Sequence, residues 1–218
     1  MVNLNFEPQF NFIFVIYLDN EYLIGEGEIR FCYKHPLNDK LCIKIPRKET
    51  TRDYTEKELK YFNKLSKRSK VNFKFPFYTD FHHEISTNLG LGQVFDLVCD
   101  KTTNKVSKTL EYYLTQSDQI SDDKLELGLL KLKKMMIKHK IFTRDLRSRN
   151  ICCRIINDKN DIELVIVDGI GHRDFFPLAD WFDFFSRKKV ERTFDKWKFN
   201  CLNDQREYLK KQYSLLNL

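Results

Sequence analysis

The chain has 218 residues, with 38 Lys and Arg against 31 Asp and Glu, a net charge of +7 and an isoelectric point near 9.0. Hydrophobic residues make up 42% of it, which excludes an intrinsically disordered chain and suits one domain or two small lobes. The basic balance suits anionic partners such as nucleotide phosphates, nucleic acid or an anionic membrane, and equally suits Lys-rich solvated helix faces.

Six cysteines show no C-x-x-C pairing and no metal-ligand spacing, so reduced thiols and a cytoplasmic location are expected. Cys152 and Cys153 are adjacent in a strand pattern and point to opposite faces, which disfavours a bond between them. The apolar run Phe10 to Leu18 lacks a basic flank and a cleavage site, and is too short to span a bilayer. It reads as a strand, centred on Phe12 to Leu18.

Next come Tyr22–Ile24, a turn over Gly25-Glu26-Gly27-Glu28, and a strand from Ile29 to Tyr33. Gly25 and Gly27 let the backbone approach a ligand, and turn amides can face phosphate oxygens. A plain hairpin turn accounts for the two glycines about as well. Glu26 and Glu28 oppose phosphate binding, and Arg30 stands where a third glycine would be, either adding positive charge or lying on the surface. Leu41 to Ile45 forms another strand that carries Lys44 between apolar neighbours. Strand lysines commonly face solvent, but downstream of G-x-G this one reads as an ammonium aimed at nucleotide phosphates.

Thr51 to Lys67 has helical spacing in Tyr54, Glu58, Tyr61, Phe62 and Leu65. Glu58 sits on or beside the apolar face, where a carboxylate can hold Lys44, and Glu56 competes for that role. Residues 68–76 read as a basic, aromatic loop. Phe77–Glu84 and Gly92–Val98 read as strands separated by Thr87-Asn88-Leu89-Gly90. The second is either core strand or a hinge for adenine, with backbone contacts from Asp96 to Cys99, Asp96 and Val98 among them. His82 and His83 diverge on a strand, against metal ligation.

Leu110–Leu114 and Leu125–His139 read as helices, the second capped by Ser121-Asp122-Asp123 and packed through Leu125, Leu129, Leu132 and Met136, with Leu130 and Met135 beside them. His139 reads as a C-terminal cap. Then comes IFTRDLRSRN, Ile141 to Asn150, followed by ICCRII, a polar turn, and IELVIV ending at Asp168. A carboxylate, an amide and a second carboxylate thus lie at the ends of two short strands joined by a hairpin. Asp145 can accept a proton from a hydroxyl nucleophile, and Asn150 and Asp168 offer hard oxygen ligands to Mg²⁺. The Asp-x-x-x-x-Asn spacing is that of the protein-kinase catalytic loop. Phe175–Phe185 is dense in aromatics around Pro177 and Trp181. Arg187 to Leu218 is a basic amphipathic helical stretch that packs under the larger lobe or docks on a membrane or partner.

The segments IGEGEIRFCYKHP, LCIKI, EKELKYF, GLGQVFDLVCD, SKTLEYYL, FTRDLRSRNICC and VDGIGHRDFFPLADW resemble the bacterial YrbL family of PhoP-regulatory-network proteins, within the protein-kinase-like superfamily. The resemblance runs from about Leu23 to Trp181. It implies an α+β, bilobal kinase-like fold with a small β-rich N-lobe over residues 1–98, holding one helix, and a reduced helical C-lobe over 99–218. The nucleotide would lie between the lobes. Lys44 would bind phosphate with Glu58 as its partner, Asp145 would be the base, and Asn150 and Asp168 the Mg²⁺ ligands. Arg147 lies where Ser/Thr kinases carry lysine, and would screen the transferring phosphate or lie on the surface.

The chain departs from protein kinases in having Gly-Ile after Asp168 and no A-P-E segment. The expected function is therefore ATP- and Mg²⁺-dependent phosphotransfer to a small-molecule, sugar or lipopolysaccharide-related hydroxyl. Two rivals stand beside it. One is a pseudokinase-like regulatory module, favoured by the imperfect glycine loop. The other is a basic nucleic-acid binder, with residues 67–78 as its only local candidate. No sequence-specific nucleic-acid partner is expected, peripheral membrane contact is open, and so is the oligomeric state.

Overall fold

A computed structural model describes residues 14–48, 52–68, 76–171 and 182–216. The chain divides into two compact units, residues 1–50 with 82–95, and residues 51–81 with 96–218. The fold class is α+β, as expected, with a sheet in the first unit and most helices in the second.

In the sheet unit, β1 (Leu23–Glu26), β2 (Arg30–Lys34) and β3 (Leu41–Pro46) pair antiparallel, and β4 (Phe81–Thr87) and β5 (Gly90–Asp96) complete the order β1-β2-β3-β5-β4. Of the three inner strands, the neighbours β3 and β5 carry continuously buried runs, Cys42 to Ile45 and Gly92 to Phe95. Gly92 permits their close approach. A Cβ there would come within 2.5 Å of Ile43 Cγ2 and 2.9 Å of Ile45 Cδ1. Ile16, Leu18, Tyr33, Ile43, Ile45 and Val94 form the apolar core of this unit.

Three strand expectations shift. The described part of the predicted first strand forms a single bridge, Ile16 with Thr87, and Asn88 holds Leu18 by donating to its carbonyl and accepting from its N–H. A side chain here takes over the backbone bonds a strand partner would have made. The β1–β2 turn begins later than the glycines suggest, since β1 runs through Gly25 and Glu26. Phe77 and Tyr78 leave β4 altogether and run beside the strand Ile162–Ile166 of the helical unit, where Tyr78 bridges Ile166. Their buried rings find apolar cover there that a sheet edge lacks.

The helical unit contains α1 (Arg52–Arg68), α2 (Leu110–Thr115), α3 (Asp122–His139), the hairpin β6 (Ile151–Ile155) and β7 (Ile162–Ile166), α4 (Asp183–Lys196) and α5 (Leu202–Leu216). The one helix assigned by sequence to the N-lobe, α1, thus clusters with the second unit. Tyr61, Phe62 and Leu65 are its buried apolar face, and the Tyr61 hydroxyl accepts from Phe142 N–H at 3.2 Å. Tyr54 lies outside the residues whose side chains are described.

In α3, Leu125, Gly128, Leu129, Leu132 and Met136 are buried, while Leu130 is exposed and falls outside the expected stripe. Gly128 lies against β7, where a Cβ would be 3.1 Å from Leu164 Cγ. The C-cap is Lys140, in the left-handed region, whose N–H donates to Met136 and Ile137 carbonyls. His139 instead packs its ring 6.0 Å from that of Phe77. The tail is two helices rather than one, turning between Trp197 and Cys201. The predicted loop over 68–76 and the aromatic cluster before Phe182 fall largely outside the described residues. No helix among the described residues is long and apolar enough to cross a membrane.

Candidate functional site

The loop from Thr143 to Asn150 is fastened to the end of β7 by backbone bonds in both directions. Arg144 N–H donates to Gly169 O at 2.8 Å and Gly171 N–H donates to Phe142 O at 2.9 Å, so Thr143 and Ile170 bridge antiparallel. Thr143 Oγ1 donates to the same Gly169 carbonyl at 2.7 Å and accepts from Asp145 N–H at 3.1 Å. Asp145 and Asp168 therefore stand on two loop segments that are stitched together.

Asn150 ties the loop back on itself. Its Nδ2 donates to Asp145 O at 3.2 Å, and its carbonyl accepts from Val167 N–H at 2.9 Å. Asp168 Oδ1 accepts from the Gly169 N–H at 2.6 Å. The acid, amide and acid read from the sequence thus fall within one hydrogen-bonded set. Asp145 is not open to solvent alone. Arg147 grips it through Nε and Nη2, at 2.9 and 2.6 Å from Oδ2, so this arginine is neither a plain surface residue nor directed away from the carboxylate.

The sheet unit carries the other candidates. Lys44 is buried, with Nζ 4.2 Å from the centroid of Phe95, a cation–π placement rather than a solvated edge. Arg30 is buried as well, and its Nη1 donates to Gln93 Oε1 at 3.1 Å. A surface arginine is therefore not what the third-glycine position holds. Gly25 pairs with Cys32 inside the sheet. Gly27 closes the turn, its N–H donating to Arg30 O at 2.9 Å and its carbonyl accepting from Arg47 Nε at 2.8 Å. That N–H already has a protein partner, as in a plain hairpin turn.

Of the two α1 glutamates, Glu58 is buried while Glu56 pairs with Lys60 across one helical turn. Asp96 exchanges bonds with Asp80, its N–H donating to Asp80 O at 3.1 Å and its Oδ2 accepting from Asp80 N–H at 3.1 Å. Val98 O accepts from Ser107 N–H at 2.9 Å. The backbone at Asp96 and Val98 is thus partly engaged by its own neighbours.

Asn150 and Asp168 offer one amide and one carboxylate oxygen. That short, hard donor set fits Mg²⁺, which keeps several waters and takes substrate phosphate oxygens alongside one or two carboxylates. It does not make a protein cage, and among the described residues no group of three or more His, Cys, Asp or Glu is arranged to hold a metal ion. His82 and His83 are exposed on β4.

The family described as PhoP regulatory network protein YrbL matches residues 16–201. The chain belongs to the YrbL family. Over 187 residues this YrbL-family chain is 33% identical to YrbL of Escherichia coli (strain K12), covering 84% of this chain and 85% of the relative, and the same figures hold for YrbL of Shigella flexneri. Among solved structures it is similar to Rad53 1–466 in complex with AMP-PNP, with 18% identity and a TM-score of 0.48, covering 68% of this chain and 38% of that one.

Sequence reasoning on the YrbL-family chain missed five participants. Thr143 and Gly169 lock the two loop segments. Glu111 accepts from Ser148 Oγ at 2.8 Å and from the Tyr213 hydroxyl, which pushes the tyrosine pKa up to about 12. Gly169 alone carried a signal, the glycine directly after a strand-ending aspartate.

Proposed function

We propose that this chain is an ATP- and Mg²⁺-dependent phosphotransferase acting on a small-molecule, sugar or lipopolysaccharide-related hydroxyl. The observation that carries the reading is the frame of hydrogen bonds around Asp168: Asn150 donates to Asp145 O, and the residues on either side of Asp168, Val167 and Gly169, bond to Asn150 and Thr143. In it Asp145 accepts the proton of the acceptor hydroxyl, and Asn150 and Asp168 hold the metal. Bound Mg²⁺ neutralises phosphate charge. Lys44 supplies the phosphate-binding ammonium. Positioning and electrostatics supply most of the catalysis in such transfers.

The Asp145–Arg147 pair and the closed Gly27 turn favour a second reading, a nucleotide-binding regulatory module without transfer. Calorimetric titration of ATP with Mg²⁺, on wild type and on Asp168→Asn, tests both. Binding that requires metal and Asp168 supports the site, and turnover of the bound ATP then separates the enzyme from the module. Equal binding with and without the substitution overturns the metal-ligand assignment.

A further inference from the structure

Glu111 joins three elements that are remote in sequence. It lies in the first turn of α2. One of its oxygens accepts from Ser148 Oγ at 2.8 Å, and Ser148 is 1% exposed in the loop that carries Asp145 and Asn150. Its other oxygen accepts from the hydroxyl of Tyr213 on α5. The same helical tail reaches this loop a second time, with the Arg147 guanidinium carbon 6.0 Å from the Trp197 ring centroid. Ser148 opens the single turn that sets Asn150, whose N–H donates to Arg147 O at 2.8 Å.

A carboxylate accepting two hydroxyl bonds is charge-assisted at both, and a buried serine that loses such a partner keeps its desolvation cost without compensation. The turn's geometry thus depends on Glu111. We propose that Glu111 is a positioning residue for the Asp145–Asn150 loop, and that α5 sets Glu111 through Tyr213, so that the C-terminal helices act on the candidate site without touching substrate. This deepens the phosphotransferase reading and rests on it for its catalytic meaning.

Hydrogen–deuterium exchange on the full chain tests it, comparing amides of 145–150 with those of the β6–β7 hairpin. Glu111→Ala and Ser148→Ala are each expected to speed exchange in 145–150 by about ten-fold, the effect of losing one such bond, with the hairpin unchanged. The double variant should add nothing further, because both remove one interaction. Tyr213→Phe, at a half-exposed position that tolerates the change, should shift the same amides in the same direction by less.

Unchanged exchange in all variants overturns the proposal, and so does an equal rise across loop and hairpin, which would mark general destabilisation. Mg²⁺–ATP titration of the same wild-type sample reports separately on the phosphotransferase reading. Absence of binding there sinks that reading while the exchange result still decides the link.

Discussion

Gly169 leaves room for Asp145 and for nothing more. Its backbone has φ +76°, and a Cβ built on it would lie 2.8 Å from the Asp145 carbonyl oxygen and 3.0 Å from Asp145 Cβ. The Gly169 carbonyl also receives both Thr143 Oγ1 and Arg144 N–H. One residue therefore sets the separation between the two aspartates.

Gly169→Ala should consequently destabilise the helical unit by about 1–3 kcal/mol, the usual cost of a side chain held in that backbone region, with the backbone contact adding to it. Urea unfolding would measure the loss. Mg²⁺–ATP titration of the folded fraction should show weaker binding, because Asp168 moves with its neighbour.

The Asp145–Arg147 pair is expected to contribute little to stability. Its side chains are 18% and 31% exposed, so solvent screens part of the attraction; fully exposed pairs are worth about 0.2–1 kcal/mol, and this two-point grip belongs at or a little above the top of that range. A double-mutant cycle with Asp145→Asn and Arg147→Met, read by urea midpoints, should give a coupling of that size. A much larger coupling would mean that the pair is part of the core.

Lys44→Met tests the phosphate-binding role of the lysine. The apolar chain keeps the packing against Phe95 while removing the charge. Mg²⁺–ATP affinity should fall about ten-fold or more, as for loss of a charge-assisted phosphate contact. Intact binding would remove Lys44 from the site.

Two histidines make stability depend on pH. Burial lowers the pKa of His139, aided by Lys138, and burial followed by His83 lowers that of His35. His35 Nδ1 also accepts from Leu37 N–H at 3.1 Å, a bond that protonation at that nitrogen breaks. The unfolded chain takes up these protons near pH 6.5 and the folded chain only below that, so stability is fully present above about pH 6.5 and declines as pH falls through the window beneath it. Thermal midpoints should drop between pH 7.5 and 5.5, and His139→Gln should flatten the slope.

Local pattern carried much of this architecture. The alternation of strands and helices, the hairpin between Cys152 and Val165, the Asp145-to-Asn150 spacing and the strand-ending Asp168 are all short-range properties, set by side-chain period and turn chemistry. The sequence by itself determined which residues carry hard oxygens and where each lies along its own strand or loop. Tertiary structure decided their partners. Whether Glu56 or Glu58 turns inward depended on which face of α1 found cover, and Phe77 joined β7 rather than β4 for the same reason. Thr143, Glu111 and Tyr213 gained their roles from bonds across long stretches of chain, and no local spacing encodes a hydrogen bond that exists only once distant segments have packed.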